Sequence, residues 1–215
     1  FSSRRRHTRY ISVTGVQTCA LPISLLVSAT GSGKTLAGFL PTIAALARKP
    51  GDRLHTLYVS PLKSLTNDIA RNLAGPISDM GLPITVETRT GDTGASVKAR
   101  QRVKPPNILL TTPESLSLLL AHEDAAFLFA SLERIVVDEI HAFAHTKRGD
   151  LLALCMARLA QIAPGHRRAA LSATIANPMP YRAWLSREGN AEAVALVTGS
   201  EMTPPDIRII TPEGR

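Results

Sequence analysis

From Leu25 onward the chain alternates between two hydrophobic rhythms. Short apolar runs at residues 25–27, 54–60, 84–88, 108–112, 134–138 and 169–172 predict strands, and residues 194–197 offer a further candidate. Between them, apolar residues recur at helical spacing. Leu36, Phe39, Leu40, Ile43 and Leu46 follow the first run. Leu65, Ile69 and Leu73 share one face of residues 62–80. A short helix is expected over 115–120, and Leu151, Leu152, Cys155, Leu159 and Ile162 mark one side of 149–162. Gly75-Pro76 should break or bend the 62–80 helix. Apolar strands alternating with helices predict an α/β fold, a parallel sheet with helices on both faces. Ligands of such a sheet sit at the C-terminal ends of its strands.

The turn after the first strand runs Ser28-Ala29-Thr30-Gly31-Ser32-Gly33-Lys34-Thr35. A glycine-rich loop between a strand and a helix fits a phosphate-binding P-loop. Gly31 and Gly33 let the backbone wrap an anion without a Cβ in the way. The N–H groups of Thr30 to Thr35 and the helix N-terminus then face the phosphates. Lys34 can reach the β- and γ-phosphates, and the Thr35 hydroxyl can ligate Mg²⁺. About a hundred residues on, Asp138-Glu139-Ile140-His141 follows the apolar Ile135-Val136-Val137. Two carboxylates at a strand tip suit a Walker B motif, with Asp138 a Mg²⁺ ligand and Glu139 the base or orienter for an attacking water. No second His/Cys set surrounds His141, which reads as a relay to the next motif, Ser172-Ala173-Thr174. Hydroxyls there can bond the Walker B region and report the nucleotide state; Thr174 alone could equally be a helix N-cap.

Three further turns fall at strand ends: Ser60-Pro61-Leu62-Lys63, Thr90-Gly91-Asp92, and Thr111-Thr112-Pro113-Glu114-Ser115. Each opens a helical stretch with small or hydroxyl-bearing residues. Hydroxyls, backbone N–H groups and helix N-termini hold phosphates without reading bases. One such turn is an ordinary N-cap; three in succession suggest a track for a nucleic-acid backbone.

The first 23 residues show neither rhythm. Val13 to Ile23 and Ser3 to Arg9 back-translate into something resembling the two ends of a common short-read sequencing adapter, with Tyr10-Ile11-Ser12 across its index. Residues 1–23 are therefore expected to be non-native, the alternative being a basic arm that binds nucleic acid. Setting them aside leaves about 190 residues, enough for one α/β domain with a sizeable core. The chain's charge of +8 includes four arginines and no acids from this segment, so Ser24 onward carries +4. That surplus permits a nucleic-acid partner without arguing for one. Cys19 and Cys155 make no disulfide framework, which fits a reducing cytoplasm. No apolar run is long enough to span a bilayer.

The motifs in this order resemble the first RecA-like, P-loop NTPase domain of a superfamily 2 DExH-box helicase. Ser28 in the first glycine position points away from GTPases and towards the AxTGSGKT form of that superfamily. LLVSATGSGKTLAGFLP, LHTLYVSPLKSL, ETRTGDT and DEIHAFAHTKRGDLLAL are similar to the large-helicase-related (Lhr-type) group, most of all its ligase-associated DEXH-box branch. Outside that similarity, Thr146 to Gly149 reads only as a basic exposed loop.

The resemblance implies an ATP- and Mg²⁺-dependent 3′–5′ helicase or translocase on single-stranded DNA, with RNA or an RNA:DNA hybrid also open. It implies a place in DNA repair beside a ligase system. Residues 24–200 would form the ATP-binding domain, and 201–215 the start of a connection to a second RecA-like domain that supplies an arginine finger. By itself the chain is then expected to be nearly inactive as an ATPase. A motor subunit of a restriction or remodelling system and a nucleotide-gated single-strand binding module are the competing readings.

Overall fold

The computed structural model describes residues 23–29, 33–173 and 175–199. Seven strands form one sheet: β1 (Ile23–Val27), β2 (Thr56–Val59), β3 (Val86–Arg89), β4 (Ile108–Thr111), β5 (Arg134–Val137), β6 (Arg167–Ser172) and β7 (Ala195–Thr198). Their order is β3-β4-β2-β5-β6-β1-β7, with every neighbouring pair parallel. Strands β2, β4 and β5 are buried at every position. They lie inside the sheet with a helical layer on each face, which is why their sequences are apolar throughout rather than alternating.

The helices are α1 (Lys34–Arg48), α2 (Lys63–Asp79), α3 (Ala95–Val103), α4 (Pro113–Leu120), α5 (Ala125–Phe129), α6 (Lys147–Ile162) and α7 (Met179–Leu185). One face of the sheet packs on α1 and α2, with Leu26, Tyr58, Leu110, Val136 and Leu171 meeting Phe39, Ile43, Ile69 and Leu73. The Phe39 and Tyr58 rings stack at 4.9 Å between centroids. The other face packs on α4 to α7, where Leu57, Val59, Ile135 and Val137 meet Leu116, Phe129, Leu152 and Leu159.

The structure departs from the sequence expectations in several places. Of the break or bend expected at Gly75-Pro76, the break does not occur: α2 continues through it to Asp79. Pro76 and Asn72, whose carbonyl loses its amide partner, are both exposed, so water can serve that carbonyl, while Leu73 and Ile77 stay buried on the core side. Leu36 is half exposed although its spacing put it with the core; Ala37, Pro41 and Thr42 are buried on α1 instead. Strand β1 begins at Ile23, paired with Arg168, so the last residue of the segment expected to be non-native is part of the sheet. Residues 1–22 lie outside the described residues. Helices α3, α5 and α7 were not signalled by periodicity. Two of them are short, and α3 buries only Gln101, which bonds Glu87 and the Thr88 carbonyl of the edge strand β3.

A buried polar network anchors β6 to the helices around it. Arg168 is 4% exposed; its Nε donates to His166 Nε2 at 3.1 Å, and its Nη1 and Nη2 donate to the Leu185 and Met156 carbonyls, each at 3.2 Å. His166 Nδ1 lies 2.7 Å from the Ala163 carbonyl. One guanidinium thus ties α6, β6 and α7 together, and β6 delivers Ser172 to the sheet edge.

Candidate nucleotide and nucleic-acid site

All the predicted motifs emerge at the C-terminal edge of the sheet, and strand order sorts them. The turns after β3, β4 and β2 carry Thr90, Thr112 and Ser60, and these strands are adjacent. Strands β5, β6 and β1, also adjacent, carry Asp138, Ser172 and the P-loop. The turns expected to hold a nucleic-acid backbone and the motifs expected to hold a nucleotide therefore occupy two neighbouring halves of one edge, meeting between β2 and β5.

In the nucleotide half, Gly33 has φ +83°, the left-handed conformation that glycine adopts without a Cβ penalty, and it leads directly into α1. Thr30, Gly31 and Ser32 lie outside the described residues. Lys34 is 9% exposed and its Nζ donates to the Ser28 and Ala29 carbonyls at 2.8 and 2.9 Å. Thr35, next on the helix, is partly exposed. The P-loop is joined to β6 by the Ser28 amide, which donates to the Ser172 carbonyl at 3.2 Å.

Asp138 is 4% exposed. Burial raises its carboxyl above the usual carboxylate range, with Glu139 adding to the rise while Tyr58 and Lys34 oppose it. The Tyr58 hydroxyl is fully buried beside it, its ionisation pushed far up by burial and by the Asp138 charge. Glu139 has φ +46° and ψ +50°, left-handed for a residue with a side chain. Such a conformation costs about 1–3 kcal/mol and persists where surrounding structure enforces it, as at functional sites. Here it turns the chain out of β5 into the 3-10 turn Ile140–Ala142. Glu139 Oε2 is buried and 3.3 Å from His141 Nδ1, outside hydrogen-bond geometry. His141 Nδ1 pairs instead with the Ser172 hydroxyl at 3.0 Å. The predicted contact between the DEIH and SAT motifs is thus a direct side-chain bond. Ala173 is partly exposed beside it, and Thr174 lies outside the described residues.

In the other half, the hydroxyls of Ser60, Thr111 and Thr112 bond within the protein. Ser60 is fully buried, and the Leu62 amide lies 3.5 Å from its Oγ. Thr111 Oγ1 donates to the Arg89 carbonyl at 2.7 Å, and Thr112 Oγ1 to Ser115 Oγ at 3.4 Å. Thr90 is 5% exposed and its amide donates to Thr93 Oγ1. Ser60 and Thr111 accordingly shape the turns rather than present hydroxyls to a ligand. The exposed groups are Lys63, Gly91 and Glu114, while Pro61 is partly exposed and Pro113 buried at the start of α4. Lys63 Nζ pairs with Asp92 at 3.0 Å, joining the turns after β2 and β3.

Sequence reasoning missed Arg148 and Gly149. The supposed loop at 146–149 is the start of α6. Thr146 Oγ1 accepts from the Gly149 amide at 3.1 Å and donates to the Phe143 carbonyl at 2.7 Å. A Cβ on Gly149 would stand 2.0 Å from that carbonyl oxygen, so only glycine fits. The Thr-x-x-Gly spacing before an apolar helical run was the available N-cap signal. Arg148, held by this close packing, donates to Glu114 through Nε at 2.5 Å and Nη2 at 3.1 Å, and through Nη1 to the Pro61 carbonyl at 2.9 Å.

A cavity of about 840 Å³ opens at the opposite, N-terminal edge of the sheet, lined by Arg48, His55 and Glu133 among others, and contains none of these motifs. No helix among the described residues is long and apolar enough to cross a membrane.

Comparison with known proteins agrees with this geometry. The DEAD/DEAH box helicase family model matches residues 14–180. The Lhr helicase/probable uracil glycosylase of Mycolicibacterium smegmatis is 43% identical over 178 residues, covering 76% of this chain and 12% of its own. The ATP-dependent helicase Lhr-Core of Methanocaldococcus jannaschii is 40% identical over 203 residues, covering 87% and 24%. Among solved structures, Mycobacterium smegmatis helicase Lhr bound to ssDNA and AMP-PNP superposes with a TM-score of 0.75 at 40% identity, over 83% of this chain and 24% of that one. The chain thus spans at most about a quarter of these relatives. With a RecA-like parallel sheet, its motifs on one edge and a family match over most of its length, the chain belongs to the DEAD/DEAH box helicases, among relatives of the Lhr type.

Proposed function

We propose that this chain is the ATP-binding RecA-like unit of an ATP-dependent 3′–5′ helicase or translocase acting on single-stranded DNA. The observation that carries the reading is the placement of the P-loop, DEIH and SAT motifs on one half of a sheet edge and of the Ser60, Thr90 and Thr112 turns on the adjoining half. Thr30 to Thr35 cradle the nucleotide phosphates. Lys34, which donates to the Ser28 and Ala29 carbonyls, exchanges those bonds for phosphate oxygens. The part-exposed Thr35 hydroxyl and the buried Asp138 carboxylate, hard oxygen donors near the same loop, fit Mg²⁺. When bound, the ion neutralises charge on the β- and γ-phosphates. Glu139, with a buried oxygen free of hydrogen bonds, accepts the proton of the attacking water. His141 and Ser172 carry the nucleotide state from β5 to β6.

Lys63 and the turns at Gly91 and Thr112 hold the DNA backbone, with Ser60, Pro61, Thr90, Thr111, Pro113 and Glu114 fixing their shape. The ssDNA and AMP-PNP in the mycobacterial Lhr structure support this assignment of ligands. A role in DNA repair rests on the resemblance of the sequence motifs to the ligase-associated branch. Hydrolysis at an enzymatic rate takes an arginine from a second RecA-like domain, worth about 10³–10⁵ in rate.

Fluorescence titration of the chain with a labelled ATP analogue and Mg²⁺, followed by anisotropy titration of labelled oligo(dT), tests both halves. Binding of both ligands, with Lys34→Ala losing the nucleotide alone and Lys63→Ala weakening the DNA alone, is expected. Nucleotide affinity unchanged in Lys34→Ala would place the phosphates elsewhere and overturn the reading.

A further inference from the structure

The two halves of the sheet edge belong to different strands, yet one side chain spans their junction. Arg148 begins in the nucleotide half. Its backbone is fixed to the segment after β5 by the Thr146 cap and by Gly149 pressed on the Phe143 carbonyl. Its guanidinium lies 5.9 Å from the Phe143 ring centroid. Its donors end in the other half: a two-pronged pair to Glu114 at the N-terminus of α4, and a bond to the Pro61 carbonyl after β2. These are the turns assigned above to the DNA backbone.

Stability does not explain this arrangement. The side chains of Arg148 and Glu114 are 42% and 51% exposed, and ion pairs at that exposure contribute little to folding. Geometry explains it better. A planar fork that satisfies both carboxylate oxygens and a third acceptor fixes distance and angle at once, which a lysine cannot do. Glu114 also stands among phosphate-holding turns, where a lone carboxylate would repel a phosphodiester. Arg148 neutralises it and holds its carboxyl below the usual range.

We propose that Arg148 is a positioning residue for nucleic-acid binding: acting through Glu114 and Pro61, it sets the turns after β2 and β4 at the spacing a single-stranded backbone requires, and ties that spacing to the segment carrying the DEIH motif. The proposal rests on the reading of those turns as the DNA track.

Glu114→Gln separates this from simple electrostatics. Removing a negative charge beside the track should tighten DNA binding if charge alone matters. If Glu114 is the lever of Arg148, the same change should weaken it. The experiment is anisotropy titration of labelled oligo(dT) with the 215-residue chain carrying Arg148→Ala, Arg148→Lys, Glu114→Gln, or the swap Arg148→Glu with Glu114→Arg. The expected result is a loss of about tenfold in DNA affinity for Arg148→Ala, Arg148→Lys and Glu114→Gln. The swap should recover part of it, while nucleotide affinity stays at the wild-type value throughout. Wild-type or tighter binding by Glu114→Gln, or wild-type binding by Arg148→Lys, overturns the proposal while leaving the track intact, provided Lys63→Ala weakens binding. Absence of salt-sensitive DNA binding in the unmodified chain overturns the track and this proposal together.

Discussion

Acidification should unfasten the strand that carries Ser172, and His166 sets where. Its Nε2 accepts from Arg168 Nε and its Nδ1 faces the Ala163 carbonyl, so the ring is the neutral Nδ1–H tautomer, donating to one neighbour and accepting from the other. A proton on Nε2 would abolish the bond to Arg168 and set two cations together in a site where His166 is 2% exposed. Burial lowers its pKa from 6.5 to about 4; the Ala163 bond opposes the shift, and Arg168 and Arg187 reinforce it. The sign follows from linkage. The unfolded chain binds this proton near pH 6.5 and the folded chain only near 4. The neutral ring's contribution is therefore fully present above 6.5 and lost as pH falls towards 4.

The full difference amounts to about 3 kcal/mol, of which roughly 2 should be gone at pH 4.5. For a marginally stable domain that is a large share of the total. Carboxylates titrate over the same window, so the measurement is a difference: urea unfolding of the wild-type chain and of His166→Phe at pH 7 and at pH 4.5. The variant begins less stable, since Arg168 Nε loses its acceptor, but its loss on acidification should be smaller than the wild type's by about 2 kcal/mol. Direct titration of the His166 ring by NMR should give a midpoint near 4. A midpoint near 6.5, or equal acid losses in the two proteins, would refute the reasoning.

Four further outcomes are expected. Gly149→Ala places a methyl against the Phe143 carbonyl and should cost about 1–3 kcal/mol or more, read as a lowered melting temperature; an unchanged melt would mean that the α6 start relaxes freely. Removal of residues 1–22 should leave the urea midpoint unchanged, and a loss of several kcal/mol would show that they belong to the fold. With a second RecA-like domain supplied in cis, Glu139→Gln should retain ATP·Mg²⁺ binding and lose about 10²–10⁴-fold in hydrolysis, whereas an unaffected kcat would exclude Glu139 as the base. The 215-residue chain alone, with saturating single-stranded DNA, should release phosphate more slowly than about 1 per second, the low end of ordinary enzyme rates; faster DNA-stimulated release would show that no second domain is needed.

The parallel sheet was legible because its inner strands are buried on both faces, so that Leu57-Tyr58-Val59 and Ile135-Val136-Val137 contain no charged residue to confuse the period. The motifs were legible because each falls where such a strand ends. What escaped has a physical cause in each case. Pro76 looked like a break, but it sits on the wet side of α2, where a carbonyl without its amide partner can be hydrated. Helix α3 holds on through Gln101 and the Glu87–Arg100 pair rather than an apolar stripe, so periodicity had nothing to register. The hydroxyls of Ser60 and Thr111 looked like ligand groups because composition tells nothing of direction. Both point into the protein and bond or cap its own backbone.

Arg148 exposes a more general limit. A basic residue in a short run of polar residues carries no sign of its partner, because the partner is set by the topology of the sheet. Glu114 lies 34 residues before it and Pro61 87 residues before it. They meet because the chain inserts β5 beside β2, with β4 on the other flank. That insertion places the start of α6 above the junction of the two halves, within reach of both turns. The same strand order brings Ser28 and Ser172 together on the far side, where β1 lies against β6. The sheet thus has a connection at each border of its Walker B strand: His141 to Ser172 on one side, Arg148 to Pro61 and Glu114 on the other. A displacement of the segment from Glu139 to Phe143 would pull on both, because the left-handed turn at Glu139 and the contact at Gly149 leave it little room to move without them. The Asp138 amide also donates to the Val59 carbonyl at 2.8 Å, so the DEIH segment is tied to the strand leading into Ser60-Pro61 through the backbone as well as through the Arg148 guanidinium.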